Sequence, residues 1–186
     1  MSLRYGSQST VSALRSVLVK RPDSEFGTAD PETWHYADRP DLKIAQAEHD
    51  GLVATMRKAG VEVFYHDEGQ PGRADAIYVR DPALIVERGA VILRMGKVLR
   101  RGEEGALARR LKSVGVPVYY TLHGDALAEG GDLLWIDHHT LAVGVGFRTN
   151  VEGVCQLEEA LNPLGVSVFP VQLPYYTGPE ACLHLM

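Results

Sequence analysis

Two stretches of this chain can be laid over each other by a shift of fifty positions, and that repeat constrains the fold more than any other feature. Gly115 then falls on Gly165, Leu111 on Leu161, and Leu107 on Leu157. Upstream, Leu84-Ile85-Val86 falls on Leu134-Trp135-Ile136, and Val91 and Leu93 fall on Leu141 and Val143. The segment Ala59-Gly60-Val61-Glu62-Val63-Phe64-Tyr65 shares the pattern. In all three places a helical stretch precedes the glycine, which is expected to end the helix in the left-handed conformation. The residues that follow alternate or run apolar, as a strand should. Each of the two regular units therefore reads strand, strand, helix, strand, with hairpin turns at Glu87-Arg88-Gly89 and Asp137-His138-His139. The fold class is α+β.

The first unit is less regular. It reads as a strand from Ser16 to Lys20, a long loop, a helix from about Asp41 to Lys58, and a strand from Val61 to Tyr65. The loop Arg21 to Pro40 holds three prolines and Trp34-His35-Tyr36. A loop this long is expected to be functional, often a lid, or else disordered. A fourth unit begins at Ala181-Cys182-Leu183-His184-Leu185-Met186 and breaks off inside its first strand. Repeats of this period stack side by side or close into a ring. An apolar half-strand at a chain end leaves a sticky edge, so the intact protein is expected to be longer.

Several function classes are excluded by composition. A chain of 186 residues, 45% hydrophobic and 23% charged, fits one domain with a substantial core. Its net charge of -5 and the lack of a basic block argue against nucleic acid as a partner. No apolar run approaches a membrane span, and the N-terminus lacks the core of a signal peptide. Two cysteines, Cys155 and Cys182, make no disulfide framework, so a cytoplasmic setting is expected. The histidines and cysteines lack metal-ligand spacing, and no phosphate loop or dinucleotide fingerprint is present, so neither a metal nor a cofactor is expected.

The acids lie at matching places before the two hairpins. Asp75, Tyr78 and Asp81 precede the first, and Glu129-Gly130-Gly131-Asp132 precedes the second. Alone, Asp81 reads as a loop acid paired with Arg80 or capping a turn. With Asp75 and Tyr78 it can hold a guanidinium by charge-assisted hydrogen bonds and stacking. Glu129 could orient a histidine and stabilise its charged form. His184 could be that histidine or a satisfied core residue. Cys155, in the helix Val151 to Leu161, reads as a small buried hydrophobe. Cys182 would share a strand face with His184.

Arg80-Asp81, Glu129-Gly130-Gly131-Asp132, Gly146-Phe147-Arg148-Thr149-Asn150 and Leu183-His184-Leu185 resemble, in order and spacing, the guanidino-group-modifying (pentein) superfamily. That group includes arginine deiminases, dimethylarginine dimethylaminohydrolases and amidinotransferases. The resemblance covers about Ser16 to Met186. It implies a pentein-type α/β propeller of ββαβ units, of which residues 1–186 would form a single pentein-like domain, about three and a half units of a five-unit ring. It also implies that Asp81 grips a substrate guanidinium, that Tyr78 stacks near it and that Asp75 lies in the polar wall. Glu129 would be the catalytic carboxylate and His184 the general acid/base. Arg100 and Arg148, each nineteen residues after an acid, would bind the substrate carboxylate. The expected activity is hydrolysis of an arginine-like guanidine through a covalent amidino-thiol adduct. The cysteine it needs lies in the family well after the His-Leu motif, so the chain as written is expected to be inactive. Met186 stands where arginine deiminases carry a second guanidinium-binding Asp. The alternatives are an amidinotransferase or a non-catalytic pentein-like binding module. A homodimer is left open.

Overall fold

The computed structural model describes residues 5–6, 8–175, 178 and 184–186. The chain divides into two compact units, Met1–Ser12 with Arg80–Met186, and Ala13–Val79.

The larger unit contains the repeat. Strands β3 (Ala83–Val86) and β4 (Gly89–Ile92) pair antiparallel. Helix α4 (Glu103–Ser113) follows, and β5 (Val118–Thr121) then joins β4 in parallel. The second copy is β6 (Leu133–Asp137), β7 (Thr140–Val145), α5 (Val151–Leu161) and β8 (Ser167–Gln172), with the same strand directions. Among the described residues each sheet has three strands, in the orders β3-β4-β5 and β6-β7-β8. The central strands are the most apolar, because both of their edges are paired and both faces are covered. Val91, Leu141 and Val143 are fully buried, and they pack with Leu93, Leu133, Leu157 and Leu161 in one core.

The helices stop where the sequence predicts. Gly60, Gly115 and Gly165 have φ of 83, 92 and 71°, which a side chain would strain. Helix α4 ends at Ser113, with Val114 as its cap. Asn150 caps α5 by accepting from the Gly153 amide, and its side chain also bonds Leu127 and Asp125.

In the smaller unit β1 (Ser16–Val19) and β2 (Glu62–Tyr65) pair in parallel, and α3 (Leu42–Lys58) lies between them in sequence. The strands and helix are each about a residue shorter than expected, since Asp41 is the cap of α3 rather than its first turn. The loop Arg21 to Pro40 carries two single-turn helices, α1 (Ser24–Gly27) and α2 (Pro31–Trp34), capped by Asp23 and Asp30. Trp34 packs with Ala29, Ala74 and Tyr36 in a small second core.

Cys155 departs from expectation. It is exposed, because the helical period turns Val154, Leu157, Ala160 and Leu161 inward and leaves position 155 on the outer face. The half-strand expected at Ala181 to Met186 is not seen over 184–186, and 181–183, with Cys182, lie outside the described residues.

Candidate functional site

The Glu129-Gly130-Gly131-Asp132 motif forms a tight turn ahead of β6, with a 3-10 helix at Gly130–Asp132. That turn presents both acids inward at the sheet end. Glu129 is 1% exposed and Asp132 is 0% exposed. Burial of two carboxylates is expensive unless each finds donors.

Asp132 is fully supplied. Its Oδ2 accepts from the Thr149 hydroxyl at 2.6 Å, and its Oδ1 lies 3.1 Å from His184 Nδ1 and accepts from the Leu185 amide at 3.3 Å. A carboxylate only accepts, so Nδ1 carries the proton and Nε2 faces the site. Thr149 Oγ1 also accepts from the Glu129 amide at 3.2 Å, tying the two acids together. Gly131 has to be glycine: a Cβ there would stand 2.7 Å from His184 Cγ. The imidazole therefore lies directly against the backbone of the turn.

Glu129 is only half supplied. Its Oε1 accepts from the Lys97 amide at 2.9 Å and lies 3.6 Å from Arg148 Nη1. Its Oε2 is buried and has no hydrogen-bond partner among the described residues. His184 Nε2 lies 3.7 Å from it. Sequence reasoning gave the task of orienting His184 to Glu129, whereas the hydrogen bond is made by Asp132. The acid was visible in the motif, but the one-turn helix that aims it was not.

Asp81 adjoins the same turn. Its backbone oxygen accepts from the Gly130 amide at 3.0 Å and its Oδ1 from the Gly131 amide at 3.1 Å. Its Oδ2 accepts from Arg100 Nη1 at 2.6 Å. The partner is thus Arg100 and not the adjacent Arg80, which donates to the Leu133 carbonyl at 2.8 Å and to Met186 Sδ at 3.3 Å. Arg100 is 4% exposed and also forks onto Glu103, which is 1% exposed. Burial alone would lower the pKa of Arg100, but the hydrogen bonds and charge of Glu103 and the charge of Asp81 hold it above its ordinary value. Arg148, 7% exposed, lies beside Glu129. Asp75 and Tyr78 belong to the smaller unit. There Asp75 is buried and accepts from the Tyr36 hydroxyl, and Tyr78 is half exposed.

The hydrogen bond that His184 donates to Asp132 raises the His184 pKa, burial opposes it, and the charges of Asp132, Glu129 and Asp81 add to the rise. The cluster sets four carboxylates (Asp81, Glu103, Glu129, Asp132) against two guanidiniums and one imidazole. Counting also the Arg80 guanidinium, whose charge acts with Asp81, the cluster is balanced with His184 protonated and anionic with His184 neutral. Among the described residues no group of His, Cys, Asp and Glu could hold a metal ion. No helix among them is long and apolar enough to cross a membrane.

Known proteins resemble this chain over most of its length. A Bacillus subtilis protein, YkgA, is 32% identical over 148 residues, which is 80% of this chain and 48% of that one. The N(G),N(G)-dimethylarginine dimethylaminohydrolase of Streptomyces coelicolor is 30% identical over 158 residues, 84% of this chain and 59% of that enzyme. The chain thus spans about half to three fifths of the length of these relatives. The solved structure of a cysteine-to-serine variant of the Pseudomonas aeruginosa dimethylarginine dimethylaminohydrolase, complexed with citrulline, superposes with a TM-score of 0.74. At 21% identity it covers 89% of this chain and 64% of that one, and the likeness concerns the mixed α+β fold. The family described as N,N dimethylarginine dimethylhydrolase, eukaryotic, matches residues 33–173. The chain belongs to that family, within the guanidino-group-modifying superfamily.

Proposed function

We propose that this chain carries the guanidinium-binding and proton-handling residues of a hydrolase acting on arginine-like guanidines. The observation that carries the reading is Glu129 Oε2, a buried carboxylate oxygen without a hydrogen-bond partner among the described residues, facing His184 Nε2. A guanidinium N–H is the donor that would satisfy it, because it is planar, cationic and can bridge two acids. Asp81 supplies the second acid. Arg148 is the candidate for the substrate carboxylate. The same role expected of Arg100 is less well supported, since its guanidinium is engaged with Asp81 and Glu103. The roles of Asp75 and Tyr78 are proposed on the family resemblance.

In the reaction a thiolate attacks the guanidinium carbon and a C–S bond forms. The C–N bond to the departing amine breaks, and that amine takes the proton from His184 Nε2. Neutral His184 then takes a proton from water, the water oxygen bonds to the carbon, and the C–S bond breaks to leave a urea product and the free thiol. The Asp132 carboxylate raises the His184 pKa, which favours the protonated imidazole that the first step needs. Cys155 stands exposed on α5 and takes no part in the cluster, so the thiol is a different one. The ring-like closure of the repeat belongs to this same proposal.

The test is calorimetric titration of the 186-residue chain with L-arginine, alongside an assay for citrulline. Arginine is expected to bind at about millimolar Kd and to weaken about tenfold in Glu129→Gln. No citrulline is expected from the chain as written. Unchanged arginine affinity in Glu129→Gln would overturn the binding role, and citrulline release that vanishes on Cys182→Ala would overturn the account of the thiol.

A further inference from the structure

One buried charge in the cluster has no part in the proposed reaction. Glu103 opens α4 and is 1% exposed, although a carboxylate in a first helical turn gains a favourable dipole interaction from the surface without the cost of burial. Its neighbour Glu104 already serves the backbone there, accepting from the amides of Met95 at 2.8 Å and Gly102 at 2.5 Å. Glu103 instead takes the fork of Arg100, with Nε 3.0 and 3.2 Å from its two oxygens and Nη2 at 2.8 Å. Nη1 is turned to Asp81, at 2.6 Å.

We propose that Glu103 is a positioning residue for Asp81, acting through Arg100. This rests on the reading of Asp81 as a guanidinium-binding acid. The physical argument has two parts. The first is geometric: with two of its nitrogens fixed on Glu103, the planar guanidinium can offer Nη1 to Asp81 in only one direction. With the Gly131 amide on its other oxygen, Asp81 has a single orientation. The second is charge. An Arg100–Asp81 pair alone would be neutral and would have little attraction for a cation. Glu103 returns the group to a net negative charge, so Asp81 keeps its pull on a guanidinium while remaining anchored.

The experiment compares L-arginine with L-citrulline, which has nearly the same shape and a neutral ureido group, by titration calorimetry on the 186-residue chain. In Glu103→Gln the arginine affinity is expected to fall about tenfold more than the citrulline affinity, and Glu103→Asp to recover part of the loss. In an Arg100→Met background, Glu103→Gln should change the arginine-to-citrulline ratio no further, because the effect travels through Arg100. A merely structural role would weaken both ligands alike. Where Glu103→Gln lowers the melting temperature too far to populate the folded chain, Arg100→Lys replaces it. Lysine keeps the charge but lacks the fork, and the same loss of preference is expected. A folded Glu103→Gln or Arg100→Lys with the wild-type ratio overturns the positioning role. Asp81→Asn tests the underlying reading separately: if it leaves arginine affinity unchanged, that reading falls and this one with it. The same holds if the wild-type chain does not prefer arginine.

Discussion

At the scale of single residues, His184 is held by an acid that linear spacing does not single out. Both acids of Glu129-Gly130-Gly131-Asp132 are candidates from sequence, because both sit where core meets solvent. The 3-10 turn at Gly130–Asp132 decides between them by rotating Asp132 under the imidazole. Such a turn depends on tertiary contacts, so no periodicity announces it. The assignment predicts a titration. The His184 pKa should lie above the ordinary 6.5, and Asp132→Asn should bring it down, since the Asp132 hydrogen bond is the largest cause of the rise. A group whose folded pKa is raised adds stability that is fully present below the unfolded value and is lost as pH climbs through the folded one. Wild type should therefore withstand more urea at about pH 6 than at about pH 9, and Asp132→Asn should lose much of that difference. NMR titration of the imidazole protons checks the first statement and paired unfolding curves the second. Gly131→Ala offers an independent check. Its Cβ would meet the His184 ring at 2.7 Å, so the ring should shift from Asp132 and its pKa fall, although both acids remain.

At the scale of elements, the repeat is legible because helix and strand periods leave separate traces in the apolar pattern. Leu157 and Leu161 on α5, and Leu107 and Leu111 on α4, are all buried where the fifty-residue offset aligns them. Cys155 is misread because chemistry alone suggests burial, whereas its place on the helical wheel turns it outward. These positions make opposite predictions on one helix. Leu157→Ala should destabilise the chain by about 2–5 kcal/mol, because the residue is fully buried and leaves a cavity. Cys155→Ser should stay within about 0.5 kcal/mol. Asn150→Ala should destabilise by about 2 kcal/mol, the upper end for a cap, because the same side chain also supports the Leu127 amide and the Asp125 carbonyl. Urea unfolding with unchanged slope would measure all three. Equal effects at 155 and 157 would mean that α5 is rotated from the orientation described.

At the scale of the whole molecule, stability should be graded by how completely each strand is enclosed. Strands β4 and β7 each pair on two edges, and Val91, Leu93, Leu141 and Val143 are at most 1% exposed. Strand β8 pairs with β7 alone among the described residues, and its Phe169 is 61% exposed. This contrast was not readable from sequence, since Val166 to Phe169 is as apolar as the segment that forms β7. What differs is the number of neighbours each strand acquires, which only the three-dimensional sheet order specifies. Opening free energy follows enclosure, because local fluctuations expose an edge strand without breaking the core. Native-state hydrogen exchange should therefore find the slowest amides in β4 and β7 and the faster ones in β8, where amides facing away from β7 have no strand partner among the described residues. The measurement should be made at two protein concentrations. If β8 is as protected as β7 at low concentration, its outer edge is already covered and the edge-strand reading is wrong. If its protection rises with concentration, a second copy of the chain covers that edge, and Phe169→Lys should abolish the rise by placing a charge on the pairing edge.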